Sequence, residues 1–278
     1  MLYSDQKNTE RSLFFGVYNV LMDWSNSALF SGSKGGLRAQ QLPLAPTMTL
    51  DLPPNFDFAQ FKRVNPIPPD TLWELVYLRN ADAIKVKRVP AALGNLRSIF
   101  EATFRLANHV GFGAMTLRDL SQAAGLSMGG LYGYLQSKDA LAAMVEDLIR
   151  HIGQEIPTWF DRDALSPLER IDGSLRAHVF MSELLQPWFY FVFMESRVLG
   201  AEQRKVARGA DLDFQAAMAR QISRLRDVKP HEAFLLSSHL QSMVQDWYVK
   251  RWKYRAADVS PDRFADSAVR MMRGYLSA

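Results

Sequence analysis

From Leu93 onward, apolar residues recur at three- and four-residue spacing, and no stretch keeps the strict alternation of a half-buried strand. The pattern predicts an all-α chain. Leu117, Leu120 and Ala124 mark one face of a short helix. Thr116 is a good N-cap for it, and Asp119 stands where the helix dipole favours negative charge. Gly125 ends the helix, because the left-handed backbone that follows a helix end suits glycine. Ser127 is placed to cap a second helix carrying Leu131 and Leu135, and so short a turn makes the two helices cross steeply. The second then projects outward, as the reading helix of a helix-turn-helix does.

Downstream, the periodicity predicts a connecting helix from 138 to about 154, stopped near Pro157, and then helices over 168–185, 188–199, 202–226, 230–255 and 261–276. The last two carry apolar stripes at Leu236, Leu240, Met243 and Trp247, and at Phe264, Ala268, Met271 and Tyr275. Upstream, an amphipathic helix is expected around 11–26. Irregular or extended chain follows through the glycines and prolines up to Pro69, and helix returns over 70–83 with Leu72, Trp73, Val76 and Tyr77. This upstream region has too many large apolar residues for a typical disordered tail. It is expected to pack on the helical body, a partner subunit or DNA. Three parts result: an extension over 1–89, a head over 90–141 and a helical body over 142–278.

The 278 residues carry a net charge of only +4, so attraction to a polyanion must come from a local patch. Cysteine is absent, which excludes disulfide scaffolds and zinc fingers. The apolar run over 12–24 is too short and interrupted to span a bilayer. With Asp5 and Glu10 before it and no clear cleavage site after it, it is also a poor signal peptide. A cytoplasmic protein without membrane contact is expected. The five histidines are scattered, no Ser-His-Asp set or HExxH appears, and SGSKGG at 31–36 lacks the Gly-Lys-Ser/Thr ending of a phosphate loop. No catalytic, metal or cofactor site is therefore expected, and the chain reads as something other than an enzyme.

Gly125-Leu126-Ser127, Leu131-Tyr132, Tyr134-Leu135, Ser137-Lys138 and Leu141 together resemble the motif of the TetR family (TetR/AcrR type) of bacterial transcriptional regulators. Residues 99–111 with Phe112 and Thr116 are similar to that family's first helix and its exit. The likeness covers about 93–145 and leaves the extension outside. It implies a double-stranded DNA operator, a homodimer through the last two helices, and a body that binds a small hydrophobic effector and releases a repressor from DNA. Tyr132 and Tyr134 match the family's phosphate-contacting aromatics, and Lys138 begins the next helix, where charge and dipole attract phosphate. Thr116 and Arg118 join this DNA-facing set. Base reading falls to Ser127, Met128, Gly129 and Gly130, with Gly133 further along.

Two adjacent glycines cost a helix about 1 kcal/mol each relative to alanine, which suggests close backbone approach to DNA or a helix that firms up on binding. Met128 suits thymine methyls, but no arginine in the reading helix offers a bidentate contact to guanine. Readout is then expected to rely partly on DNA shape and on residues outside this helix. Lys85, Lys87, Arg88 and Arg97 form a basic cluster that serves either as an arm toward a minor groove or flanking phosphates, or as a solvated linker. A two-fold dimer would place its reading helices ~34–36 Å apart on a roughly palindromic operator.

The richest apolar block is PWFYFVFMESRVL at 187–199. Such a stripe is more often plain core, because apolar helix faces exist to be buried, and what raises the reading of an effector pocket is the polar set His178, Glu195 and Arg197, since buried polar groups need partners. Candidate pocket residues are His178, Met181, Tyr190, Phe193, Met194, Arg197, Met243 and Trp247. The piece FMESRVLGAEQR at 193–204 is similar to a branch of the family associated with fatty-acid, sterol and acyl-coenzyme A metabolism, implying an acyl-CoA or lipid-derived effector. A hydrophobic drug or aromatic metabolite suits the same lining. The other reading is a regulator without a small-molecule effector, whose extension occupies the pocket itself or contacts another protein.

Overall fold

The computed structural model describes residues 53, 55–195, 214–225 and 228–277. Its helices are α1 (Phe58–Val64), α2 (Pro69–Arg79), α3 (Val89–Val110), α4 (Leu117–Ala123), α5 (Met128–Leu131), α6 (Lys138–Thr158), α7 (Pro167–Leu184), α8 (Gln186–Glu195), α9 (214–222), α10 (Pro230–Val249), α11 (Arg251–Ala256) and α12 (Pro261–Leu276). No strand occurs among the described residues, so the fold is all-α. The helix expected over 11–26, most of that expected over 202–226, and Arg197 lie outside the described residues.

Two helices depart from the expected boundaries for local reasons. α6 runs through Pro157 to Thr158. A proline in the last turn removes one backbone hydrogen bond, and here the same turn buries Ile156 and Pro157. The segment expected as one helix over 230–255 is broken at Lys250 (φ −110°, ψ 36°). Around that break, Lys250 and Lys253 reach Asp246 at 2.8 and 2.5 Å, and the Tyr254 hydroxyl donates to the same carboxylate.

Helices α3, α4 and α5 make the head, and α6 to α12 the body. The two are joined by aromatic packing as well as by α6. Phe100 stacks on Trp188 at 4.8 Å between centroids, and Phe112 meets Phe191 edge-on at 4.9 Å. Within the body, α7 is buried almost all round. Its Gly173 admits the Phe160 ring so closely that a Cβ there would lie 2.4 Å from a ring carbon. Ion pairs tie α7 outward: Arg176 to Asp266, Arg273 to Asp172, and Arg251 to Glu183.

The described part of the extension packs on its own chain. Phe56 and Phe61 are fully buried among Phe160 and Phe180 with centroids 5.6–5.7 Å apart, and Phe58 N–H donates to Asp262 at 2.7 Å. α2 lies on α3, with Leu72 and Val76 buried and Trp73 packed against both Phe100 and Trp188. Its last residue, Arg79, makes a two-pronged ion pair with Asp147 on α6.

Candidate nucleic-acid interface and effector site

Capping chemistry builds the head's exposed face. Thr116 and Asp119 form a reciprocal capping box: the hydroxyl accepts from Asp119 N–H at 3.1 Å and donates to its carboxylate at 2.7 Å. Those bonds, with the Thr116 N–H on the same carboxylate, hold the Asp119 carboxyl below its usual range and commit the Thr116 hydroxyl hydrogen to the cap. Gly125 sits at φ +69°, a value that favours glycine, and the turn closes with Leu126 N–H on Ser121 O and the Ser121 hydroxyl on Leu126 O. Ser127 then accepts from Gly130 N–H at 3.0 Å, keeping its own hydroxyl hydrogen to donate.

α5 is a single turn that continues as tighter turns to Leu135. Its side chains divide sharply. Ser127, Gly129 and Tyr132 are exposed, Met128 and Gly130 half-buried, and Leu131 buried. Arg118 on α4 is exposed on the same head. No described side-chain or backbone atom lies within 4 Å of a Cβ built on Gly129, so packing does not require that glycine.

Tyr134 is only 1% exposed, and its hydroxyl accepts from Asn95 Nδ2 at 2.8 Å. Lys138 Nζ donates to Phe112 O and Gly113 O at 2.9 and 2.8 Å and lies over the Phe112 ring, so it staples the end of α3 to the start of α6. Gly133 is packed rather than open: a Cβ there would lie 3.0 Å from Gly130 O and 3.1 Å from Val86 Cγ2. The approaching chain is the extension, whose Lys85 N–H donates to Gly133 O at 2.8 Å. That bond sets Lys85 and the arm after it beside the reading helix. Lys85, Lys87 and Arg88 are exposed, but Lys87 Nζ folds back onto Ala81 O and Ile84 O. Arg97 instead pairs with Glu101 along α3.

In the body, the aromatic block splits between two surfaces. Trp188 and Phe191 face the head, whereas Phe189 and Phe193 face Tyr248 on α10. His178 is 3% exposed, wedged between Phe214 (4.0 Å) and Phe189 (5.8 Å). Its Nδ1 has no hydrogen-bond partner among the described residues, and burial lowers its pKa to about 3. Met181 is buried, Tyr190, Met194 and Met243 are half-buried, and Phe193 is exposed. Trp247 belongs to a different group, with Phe264 at 4.5 Å and the Arg251 guanidinium 4.0 Å over its ring.

Glu146 on α6 was not singled out by sequence. It is fully buried, neither carboxylate oxygen has a partner among the described residues, and burial pushes its pKa up to about 7. Its spacing from Gly153 is i to i+7, and Gly153 approaches Phe214, the ring that covers His178. A lone glutamate on an amphipathic helix carries no mark that separates it from a surface residue. Among the described residues there is no cluster suited to a metal ion and no helix long and apolar enough to cross a membrane.

Residues 99–145 match the family model of bacterial regulatory proteins, tetR family. Among solved structures, a TetR-family transcriptional regulator from Bordetella parapertussis is similar at 18% identity and a TM-score of 0.56, over 63% of this chain and 92% of that one. The AibR regulator, solved with isovaleryl coenzyme A and operator DNA, matches at 19% identity and a TM-score of 0.53, over 64% and 97%. FadR from Bacillus subtilis, solved with stearoyl-CoA, matches at 10% identity and 0.51, over 64% and 97%. No curated protein matches the chain in sequence. About a third of this chain thus has no counterpart in structures that are themselves almost wholly covered. The match over residues 99–145 gives this chain a helix-turn-helix of the tetR family, and the described helices share the all-α fold of the TetR-family regulator structures.

Proposed function

We propose that the chain is a dimeric repressor that binds a roughly palindromic operator and is released by a small hydrophobic effector. The observation that carries this reading is a capped helix-turn-helix whose Arg118, Ser127, Gly129 and Tyr132 are exposed, with the exposed Lys85 held beside it by its N–H bond to Gly133 O and Arg88 three residues further along. The Tyr132 and Ser127 hydroxyls and the Arg88 charge would hold phosphates, and the bare backbone at Gly129 and Gly130 would sit against the groove. Tyr134 and Gly133 support the face from behind, Lys138 staples the chain after α3 to α6, Thr116 caps α4, and Lys87 braces its own turn.

Selection of binding duplexes from a random pool tests the DNA reading, since no operator need be known beforehand. Enrichment of a two-fold-symmetric sequence is expected, and its absence would count against the proposal. For the effector, the buried and unpartnered His178 Nδ1 and Glu146 carboxyl supply polar anchors in an apolar body. At pH below about 7 Glu146 is protonated and able to donate to an acyl carbonyl. The solved structures of AibR with isovaleryl coenzyme A and FadR with stearoyl-CoA support acyl-CoA thioesters as the first class to try. Thermal shift should show stabilisation by a thioester and release of the selected duplex. Stabilisation by aromatic compounds alone would redirect the assignment.

One observation favours a second reading, in which the extension replaces the effector. Phe56 and Phe61 already fill the space between Phe160 and Phe180 in the body's core. On that reading no thioester or aromatic compound shifts the melting temperature.

A further inference from the structure

Residues 69–88, near the end of the extension, touch both the connecting helix and the reading helix. We propose that residues 69–88 are a brace that carries the position of α6 to the end of the reading helix, a device whose regulatory meaning rests on the effector-responsive reading above.

At one end, Arg79 Nε and Nη2 donate to the two oxygens of Asp147 at 2.6 and 2.8 Å. Burial pushes the Asp147 carboxyl up, but hydrogen bonds from Arg79 and Arg150 outweigh it and hold the group below its usual range. At the other end, only six positions later in the chain, Lys85 N–H donates to Gly133 O. That carbonyl belongs to the last turn of the reading helix, where backbone acceptors have no partner within the helix.

The link between the two ends is locked rather than slack. Ala83 and Ile84 N–H both donate to Asn80 O, and Asn80 Nδ2 donates to Val76 O at 2.8 Å. Lys87 Nζ closes onto Ala81 O and Ile84 O, Tyr77 donates its hydroxyl to Val86 O, and Ile84 is fully buried. Gly133 is the glycine that lets Val86 approach. A short segment so constrained transmits displacement, whereas a flexible linker of equal length would absorb it. Tilting α6 therefore pulls Asp147, Arg79 and Lys85 in turn, and the reading helix shifts against α3.

Amide hydrogen exchange on the full chain tests the brace without effector or DNA, so it can fail independently of the regulatory reading. Arg79→Ala should speed exchange of the amides over 131–135 by roughly 5-fold or more while leaving α10 and α12 unchanged, and Asp147→Asn should do the same. Inserting Gly-Ser-Gly-Ser after Asp82 should abolish the response of 131–135 to Arg79→Ala. Unchanged exchange at 131–135 in both single variants, or a response that persists through the inserted linker, would overturn the proposal.

Discussion

Tyr132 and Tyr134 stand two positions apart in one motif and face opposite ways, the first exposed and the second buried with its hydroxyl on Asn95. Tyr132→Phe should weaken binding to the selected duplex by about 1.5–3 kcal/mol, the range for a hydrogen bond to a charged group. Tyr134→Phe should leave binding unchanged and lower stability by about 1 kcal/mol. Binding isotherms and urea melts check the pair. The motif alone could not separate them, because around a turn this tight a helical wheel does not fix which ring points inward. Glu146 was hidden for a related reason, and it predicts a pH effect. The unfolded chain releases this proton near 4.5 and the folded chain near 7, so stability falls between those values and stays low above them, by about 3 kcal/mol at most. His178 acts in the opposite sense, because its lowered pKa costs stability as pH falls below 6.5. Comparing Glu146→Gln with the parent isolates the carboxyl. The parent should lose stability relative to the variant from pH 4.5 to 7, and parallel profiles would show that the group titrates normally.

Among elements, the helix-turn-helix was legible because every local device agreed: Thr116 and Ser127 as caps, Gly125 at positive φ, and Leu120 and Leu131 turned inward. Asn80 to Val86 was not, since its order comes from bonds to Gly133 and Val76 that no periodicity records. The break at Lys250 was missed because Asp246 gathers Lys250, Lys253 and Tyr254 only after the chain turns. The aromatic block at 187–199 showed its apolarity but not its division, in which Trp188 and Phe191 join the body to the head. Gly173 is a further case, a mid-helix glycine kept by contact with Phe160. Gly173→Ala should lower stability by roughly 1–3 kcal/mol despite its better helix propensity, because the Phe160 ring and the Phe56 ring stacked on it must shift. A rise in melting temperature would mean that the ring yields freely.

Across the assembled chain, Phe234 and Leu235 on α10 and Met271 and Tyr275 on α12 are all more than 40% exposed. Such residues at the outer faces of the last two helices suit pairing with a second copy about a two-fold axis. Sedimentation should show a dimer that Leu235→Asp with Met271→Asp converts to a folded monomer with much weaker DNA binding. The Arg88 charge belongs to the same picture. If Arg88 neutralises one phosphate, Arg88→Ala should reduce the slope of log K against log salt by about 0.9 per subunit. All of this depends on the head reading double-stranded DNA in a sequence-specific way. Selection from a random duplex pool, run in parallel for the parent and for Tyr132→Ala, decides that point. The parent should enrich a two-fold-symmetric sequence that the variant fails to enrich or binds at least 10-fold more weakly. Equal enrichment by both would contradict the assignment of the DNA-binding face, and no enrichment by the parent would contradict the regulator itself.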